Sequence, residues 1–358
     1  MQPAGIAIIG AGVVFSFLCG LAADLGNIPL AWILGPLFGT AVFAMAGQPV
    51  LAWTLGRRGG QWIVGTALGL NVTASVLAAG LPWVPAMIAC GAIAVLVAAV
   101  IAIPYAIATR VTYPTAFFAM MPGGLSEMAT LGAKAGAEME PIAVSQSLRV
   151  ALLVCTFPPV ILHFGHAVRS SAVMANAQLD PVHTLTALGF GLVGVGLLQV
   201  MRFRNPWVVG AIIGTGIGTS LGLVEGHLHP WLFAAGQFFI GLTIGARFKR
   251  SIILRLGRLM AFSALATLTL AAILIGLAAI WWRILGLDFI TLVLATAPGG
   301  MTELSVAAQS LGLPITMIIA FHVTRSVMVN GFAENFLELI YRTGALKRLD
   351  PWLRDRAK

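Results

Sequence analysis

The stretch Met121–Glu127 reads Met-Pro-Gly-Gly-Leu-Ser-Glu, and Ala297–Glu303 repeats it as Ala-Pro-Gly-Gly-Met-Thr-Glu. The distance along the chain from Pro122 to Pro298, which we call the repeat offset, also separates Arg149 from Arg325. Each arginine therefore follows the glutamate of its own PGG segment at the same spacing. Because a charged side chain inside a membrane segment costs roughly 2.5–3.5 kcal/mol, charges that recur in register are expected to serve a function.

The composition points to a membrane protein. Of the 358 residues, 59% are hydrophobic and only 9% are charged. Runs of about 20 apolar residues predict transmembrane helices, and here such runs follow one another with few breaks. The 41 glycines and 18 prolines fit close helix packing and interrupted helices. The sequence therefore predicts an all-α polytopic membrane protein.

The net charge of +9 is not interpreted as a nucleic-acid signal. Much of it lies in Arg247–Arg258 and Arg342–Lys358, at the ends of apolar segments, as the positive-inside rule predicts. The sequence has no nucleotide-binding loop, zinc-ligand spacing or nucleophile motif. We therefore expect no metal, no organic cofactor, no nucleic-acid partner and no enzymatic activity.

An internal repeat extends beyond the PGG segments. Trp32–Thr40 and Trp207–Thr215 share the pattern Trp-x-x-Gly-x-x-x-Gly-Thr, and Gly60–Gly69 and Gly236–Gly245 share Gly-Gln-x-x-x-Gly-x-x-x-Gly. The predicted apolar elements are 4–22, 29–46, 60–79, 84–108, 115–134 and 141–162, then 182–200, 206–224, 230–246, 259–282, 289–312 and 314–340. We divide the chain into a first membrane repeat, a second membrane repeat and a basic cytoplasmic tail, at 1–176, 177–341 and 342–358.

The loop charges indicate that the second repeat is inverted. Arg57 and Arg58 predict a cytoplasmic loop, whereas the equivalent loop of the second half contains Glu225 and is predicted outside. Inversion requires an odd number of crossings, so each repeat is interpreted as five transmembrane helices and one re-entrant PGG hairpin. Ten crossings place both termini in the cytoplasm and the inter-repeat loop around Arg169 outside. The alternative is that Pro-Gly-Gly only kinks a full helix.

The hairpin tips are candidate binding sites, since non-helical backbone at membrane depth must be buried or line a wet cavity. We expect Ser126 and Thr302 to cap the second limb of each hairpin. Glu127 and Glu303 follow in its first turn, where the helix dipole favours a negative charge by about 0.3–1 kcal/mol. That gain does not offset the insertion cost, which favours a functional role over a purely helix-starting one.

Arg149 and Arg325 each follow a polar residue, Gln146 or His322, by three positions on one helix face. A guanidinium there requires an acceptor, which is a glutamate, a carbonyl or an anionic substrate. Two interpretations stay open: a structural pair with the glutamate of the same repeat, or a ligand to the substrate. His322 is either a proton relay, because its pKa lies near neutrality, or an ordinary hydrogen-bonding residue.

The two PGG-x-[Ser/Thr]-Glu segments, each followed by a helix with serine or threonine and arginine, resemble the AbrB family of bacterial membrane proteins. That family is known for an internal duplication, and the resemblance covers nearly the whole chain. Its members are commonly labelled ammonia monooxygenase or AbrB-type transcriptional regulator. The sequence fits neither label well, because it has no metal-ligand cluster and no soluble segment long enough for a DNA-binding domain.

More distantly, five helices per inverted repeat with a glycine-rich hairpin are similar to the secondary transporters for citrate and glutamate. In those families the hairpin tips meet near the midplane and nearby arginines hold substrate carboxylates. This is a likeness at the level of the fold. By position, it implies a substrate and ion site at the hairpin tips and the two arginines: Gly123, Gly124, Ser126, Gly299, Gly300, Thr302, Arg149 and Arg325.

These inferences predict a multi-pass secondary transporter of the bacterial inner membrane. It would carry a small, anionic organic solute and couple it to H⁺ or Na⁺ through Glu127 and Glu303, with His322 in the same site. The alternative is a membrane-embedded regulator or sensor that affects gene expression through a partner. The lipid bilayer and the solute are the expected partners, and a homodimer is one option for the oligomeric state.

Overall fold

The computed structural model describes residues 3–164, 180–203 and 205–344, and the elements within them are helical. The predicted outer loop around Arg169, and the tail from residue 345 onward, lie outside the described residues. The helices are α1 (Pro3–Leu25), α2 (Ala31–Met45), α3 (Thr54–Gly69), α4 (Ala74–Gly80), a 3₁₀ turn (Leu81–Trp83), α5 (Val84–Thr109), α6 (Tyr113–Met120), α7 (Leu125–Lys134), α8 (Met139–Phe164), α9 (Pro181–Val200), α10 (Pro206–Ser220), α11 (Pro230–Gly245), α12 (Arg250–Leu285), α13 (Phe289–Thr296), α14 (Met301–Ser310) and α15 (Ile315–Arg342).

Within the described residues, six helical segments are long and apolar enough to cross a membrane. They are Ile6–Leu25, Ala74–Thr109, Met139–Ile161, Pro181–Val200, Arg250–Leu285 and Ile315–Arg342. These helices confirm the prediction of an all-α membrane protein. Helices α2, α3, α10 and α11 have only 15 or 16 residues, which is about 22–24 Å of helix against a hydrocarbon core of about 30 Å.

Three predicted boundaries were wrong. Arg57 and Arg58, predicted to lie in a loop, are part of α3, which begins at Thr54. The apolar element predicted at 60–79 is two helices, because α3 ends at Gly69 and Thr73 begins α4 by accepting a hydrogen bond from the N–H of Val76. The basic segment predicted as the loop Arg247–Arg258 is helical from Arg250 onward. Its arginines alternate with apolar residues at helical spacing, and the backbone leaves helical geometry only at Leu256 (φ −111°, ψ 21°).

The helix boundaries of the two halves coincide after a shift by the repeat offset. Helices α3, α6 and α7 then match α11, α13 and α14 at both ends. The same offset separates the last residue of α5 from that of α12, and the first residue of α8 from that of α15. The repeated sequence patterns therefore form the same local structures in both halves.

The chain forms two compact units, and each takes segments from both halves. The first unit consists of Met1–Pro82, Val154–Arg255 and Met301–Met317. The second consists of Trp83–Leu153, Leu256–Gly300 and Ile318–Lys358. The boundaries predicted for the two repeats describe the duplication in the sequence, whereas these units group helices that pack together.

Glycines of the repeated patterns make close helix contacts in the first unit. A Cβ placed on Gly65 of α3 would lie less than 3.0 Å from the Val208 carbonyl of α10. Its repeat mate Gly241 of α11 stands in the same relation to the Ile33 carbonyl of α2. Small residues let helix backbones approach closely in membranes. The glycine patterns seen in the sequence are therefore helix-packing sites, used in an equivalent way by both halves.

Candidate functional site

Each PGG segment ends a short helix because of its proline. Met121 before Pro122 has φ −57° and ψ 132°, and Ala297 before Pro298 has φ −53° and ψ 139°. The proline ring disfavours the helical conformation at the preceding residue. Helices α6 and α13 therefore stop at Met120 and Thr296, with carbonyl groups that no intrahelical donor reaches.

The second helix of each pair begins one residue after the glycine pair. Gly124 holds the N-cap position of α7, and α14 begins at Met301. The prediction that Ser126 and Thr302 cap these helices was wrong, because both are the second residue inside the helix. The prediction for the glutamates is confirmed, since Glu127 and Glu303 lie in the first turns of α7 and α14.

Gly123 and Gly124 leave room for side chains of the following turn. A Cβ on Gly124 would collide with Oε2 of Glu127, and a Cβ on Gly123 would collide with Met128. The Glu127 carboxylate thus folds back over the N-terminal end of α7, where the helix dipole favours it.

In the first unit, the buried Glu303 lies within the electrostatic influence of Arg57, and α14 packs on the helix that carries Arg57.

Arg149 of α8 binds the open end of α6. Its Nη1 donates to the Met120 carbonyl at 3.0 Å, and its Nη2 donates to the Met121 carbonyl at 2.8 Å. Nη2 also donates to Oε1 of Gln146, one helical turn earlier. A cation at a helix C-terminus is favoured by the helix dipole. The buried guanidinium therefore replaces the hydrogen bonds that Pro122 prevents.

Arg325 of α15 does the same for α13. Its Nη1 donates to the carbonyls of Thr296, at 3.4 Å, and Ala297. Its Nη2 donates to the Gly299 carbonyl at 3.1 Å. Thr296 and Ala297 are the repeat mates of Met120 and Met121. Of the three acceptors considered from the sequence, the backbone carbonyl is therefore the one that both arginines bind.

Gln146 and His322 each accept a hydrogen bond from the arginine three residues later in the same helix. Gln146 donates through Nε2 to the Phe118 carbonyl at 2.8 Å while it accepts from Arg149. His322 accepts from Nη2 of Arg325 at Nδ1, at 2.9 Å, whereas within the described residues its Nε2 has no hydrogen-bond partner. Accepting at Nδ1 requires a neutral imidazole with its proton on Nε2. This geometry supports the hydrogen-bonding interpretation of His322 over the proton relay.

This equivalence leads to a prediction for His322. We expect His322→Gln to keep near wild-type stability and an unchanged pH dependence of the melting temperature. Glutamine already accepts the equivalent hydrogen bond from an arginine at Gln146. We expect His322→Leu to destabilise the protein by about 1–3 kcal/mol, since it removes the acceptor of a buried guanidinium. Thermal unfolding in detergent at two pH values measures both effects. A His322→Gln variant with an altered pH profile would restore the relay interpretation.

The Nε–H groups of the two arginines have no acceptor among the described residues. Arg149 is 2% exposed and Arg325 is 5% exposed. Within the described residues, Nε of each has no hydrogen-bond partner. The positive charge of Arg325 also acts on Arg149, so the two groups repel each other. The second unit therefore contains two buried guanidinium groups whose Nε–H donors can still bind an acceptor.

The first PGG segment folds back on itself. Helices α6 and α7 pack together, and the N–H of Glu138, just after α7, donates to Oγ1 of Thr115 near the start of α6 at 3.0 Å. A continuous helix would separate these two residues by about 35 Å at 1.5 Å per residue. The side chains of Lys134, Glu138 and Glu140 are exposed at the open end.

Comparison with known proteins identifies the family of this chain. The family model described as "Transition state regulatory protein AbrB" matches residues 6–341. The chain belongs to the AbrB family. This membership confirms the resemblance inferred from the PGG segments, and the match includes both segments and both arginines.

Two bacterial relatives match along most of their length. The "Uncharacterized protein YhjN" of Bacillus subtilis (strain 168) is 26% identical over 94% of this chain and 94% of its own. The "Putative regulator AbrB" of Escherichia coli (strain K12) is 27% identical over 89% of this chain and 92% of its own. The shared length shows that the whole membrane region is common to these proteins, and not only the PGG segments.

Proposed function

We propose that this AbrB-family protein is a secondary transporter of the bacterial inner membrane that carries a small anionic organic solute. The observation that carries the proposal is the pair of buried, mutually repelling arginines with unpartnered Nε–H groups. Buried N–H donors without acceptors are costly, and intramembrane charges are a sign of function. A carboxylate that accepts from both Nε atoms would relieve the unpaired donors and the repulsion together.

The arginines have a double task in this proposal. Their Nη atoms hold the open ends of α6 and α13, and their Nε atoms face the solute. The first task explains why a substrate ligand would also be needed for stability. Broken helices supply such sites in transporters, where the backbone groups freed at the break bind substrate and ions.

The architecture proposed is two inverted repeats of five transmembrane helices, each with a re-entrant PGG hairpin. Helix boundaries that recur at the repeat offset support the duplication. The hydrogen bond between Glu138 and Thr115 supports the hairpin over the kinked helix. Helices of 8 and 10 residues cover about 12 and 15 Å, so neither limb alone crosses a core of about 30 Å. Charges of opposite sign near the starts of equivalent helices, Arg57 and Arg58 in α3 and Glu225 before α11, support the inversion.

The experiment that tests the function is a ligand screen followed by flux. The detergent-purified protein is heated with small carboxylates, with amines and ammonium as counter-examples, in the presence and absence of Na⁺ at two pH values. Specific binding raises apparent stability by mass action. A carboxylate that stabilises the protein should then be accumulated by proteoliposomes. Stabilisation by amines alone, or binding without flux, would contradict the proposal.

Glu127 and Glu303 are the proposed carriers of a coupling proton. Glu127→Gln and Glu303→Gln should each abolish uptake driven by a pH gradient, because an amide cannot be protonated in place of the carboxylate. Both variants should still fold, since glutamine keeps the size of the side chain and, like the protonated carboxyl, both donates and accepts hydrogen bonds. Uptake into proteoliposomes under an imposed pH gradient measures the loss, with the exposed Glu138→Gln as the matched control. Full pH-dependent uptake in both variants would exclude this role.

A regulatory function is the second candidate, because the family description and the name of the Escherichia coli relative refer to regulation. A regulator of this kind would bind a ligand without moving it and would pass the signal to a protein partner. Deleting residues 342–358 separates the two functions. A transporter should keep its flux after the deletion, whereas a regulator that acts through the basic tail should lose its effect on gene expression.

A further inference from the structure

A ring of three hydroxyl groups lies in the core of the second unit. Tyr105 of α5, Ser145 of α8 and Ser263 of α12 form three mutual hydrogen bonds, each 2.8 Å long. Their side chains are 3%, 1% and 0% exposed. Polar groups buried in a membrane protein are costly and serve either helix association or function. Neither the sequence patterns nor the arginine site involves these three residues.

The ring presents oxygen lone pairs and no free donor. Three hydroxyl groups supply three hydrogens, and the three bonds of the ring use them all. Each oxygen keeps a second lone pair that the ring does not use. Such a set suits a hard cation, which prefers oxygen ligands. Because the set contains no carboxylate to balance two positive charges, it favours a monovalent cation over Ca²⁺ or Mg²⁺.

A fourth hydroxyl group points to a ligand independently. Thr267 follows Ser263 by one turn on the buried stripe of α12 and is 1% exposed. Within the described residues its Oγ1 has no hydrogen-bond partner. Residues four apart on a helix have Cβ atoms about 5–6 Å apart. A cation between them can reach both oxygens, since Ca²⁺, which has nearly the radius of Na⁺, takes oxygen ligands at roughly 2.3–2.6 Å.

The hydroxyl ring breaks the symmetry of the duplication. The repeat mates of Tyr105, Ser145 and Ser263 are Trp281, Phe321 and Met87, and the mate of Thr267 is a glycine. The equivalent positions of the other half are thus apolar, although the helices themselves recur at the same spacing. The repeated helices therefore form without hydroxyl groups at these positions. One polar copy fits a single bound ion.

We propose that Tyr105, Ser145, Ser263 and Thr267 form a binding site for Na⁺. In the proposed transporter, Na⁺ bound at this site would be the coupling ion. Only this coupling role rests on the proposed function, whereas the binding of Na⁺ does not. Its ligands are separate from Glu127 and Glu303, so Na⁺ binding is measured without solute and does not depend on proton coupling.

Thermal unfolding of the full-length protein in detergent tests the site. NaCl is titrated against choline chloride at constant ionic strength, with KCl as a second comparison. We expect a saturable rise of the melting temperature in Na⁺ alone. Thr267→Val should raise the melting temperature in choline, because it removes an unpartnered buried hydroxyl group, and should abolish the rise in Na⁺. Tyr105→Phe should weaken Na⁺ binding at least tenfold.

The matched control is Thr269→Val on the same helix. Thr269 is exposed and its hydroxyl donates to the Leu265 carbonyl, so this variant should keep the full response to Na⁺. The proposal is overturned if the wild-type protein melts at the same temperature in Na⁺ and choline, if K⁺ acts as strongly as Na⁺, or if Thr267→Val keeps the response. In each case the ring is a helix clamp, while the proposed transport of an anion is still measured separately with the carboxylate screen.

Discussion

Arg325→Ala is expected to abolish solute binding and to destabilise the protein strongly. The substitution removes the donor of three backbone carbonyls at the end of α13 and the partner of His322. Hydrogen bonds from a charged donor contribute about 1.5–3 kcal/mol each, and buried acceptors left unpaired add to the loss. Two such losses correspond to about a hundredfold or more in an equilibrium constant. Binding of the carboxylate identified by thermal shift, and its uptake, measure the effect.

Lysine at the same position separates positioning from charge. Arg325→Lys keeps the positive charge but cannot donate in a fork to several carbonyls. We expect this variant to be more stable than the alanine variant. Its affinity for the solute should nevertheless be lower than that of the wild type. Arg149→Ala should reproduce the loss in the first repeat, because Arg149 holds the equivalent carbonyls of α6.

Arg342→Ala is the matched control for the arginine substitutions. Arg342 lies at the end of the same helix, where it pairs with Glu338 at 2.6 Å on the surface, and exposed ion pairs contribute about 0–1 kcal/mol. This variant should therefore behave as the wild type. Solute binding that survives both alanine substitutions at Arg149 and Arg325 would remove these residues from the binding site.

The location of the arginine site could be predicted from the sequence, but its chemistry could not. Arginines placed in register after two PGG segments indicate a repeated function whatever they bind. Their acceptors are the carbonyls of Met120, Met121, Thr296 and Ala297, and a backbone carbonyl has no sequence signature. The sequence predicted non-helical backbone at both PGG segments, but it did not show which carbonyls this backbone would leave open. Only the structure shows that Arg149 and Arg325 reach them.

Periodicity predicted the helices better than their ends. The sequence repeat recurs in the helix boundaries because the same prolines and glycines terminate both copies. The break after Gly69 was missed, because the turn that follows contains the apolar residues Leu70 and Val72 and does not interrupt the hydrophobic pattern. The hydroxyl ring was missed for another reason: Tyr105, Ser145 and Ser263 come from three helices, and Tyr105 and Ser263 are 158 residues apart. Single serines and tyrosines in apolar sequence carry no spacing that would connect them.

Gly194→Ala is the second substitution for which we expect a large effect. Gly194 lies where α9 crosses α10, and a Cβ there would come within 3.0 Å of the Gly210 carbonyl and of the Gly214 backbone. Both neighbours are main chain, so no side chain can rotate away and the helices must separate. Overpacking costs typically 1–3 kcal/mol, and we expect at least about 3 kcal/mol when the obstacle is backbone on both sides.

Two glycines of the same helix supply matched controls for Gly194. A Cβ on Gly189 or Gly196 would have no atom within 4 Å, so alanine there meets no obstacle and gains helix propensity of about 1 kcal/mol. Gly189→Ala and Gly196→Ala should therefore melt at or slightly above the wild-type temperature, whereas Gly194→Ala should melt well below it or elute as aggregate. Because all three substitutions add the same methyl group to α9, a difference between them reports the α9–α10 contact alone. Equal stability of the three variants would show that this crossing is loose enough to admit a methyl group, and the glycine pattern would then need another explanation than close packing.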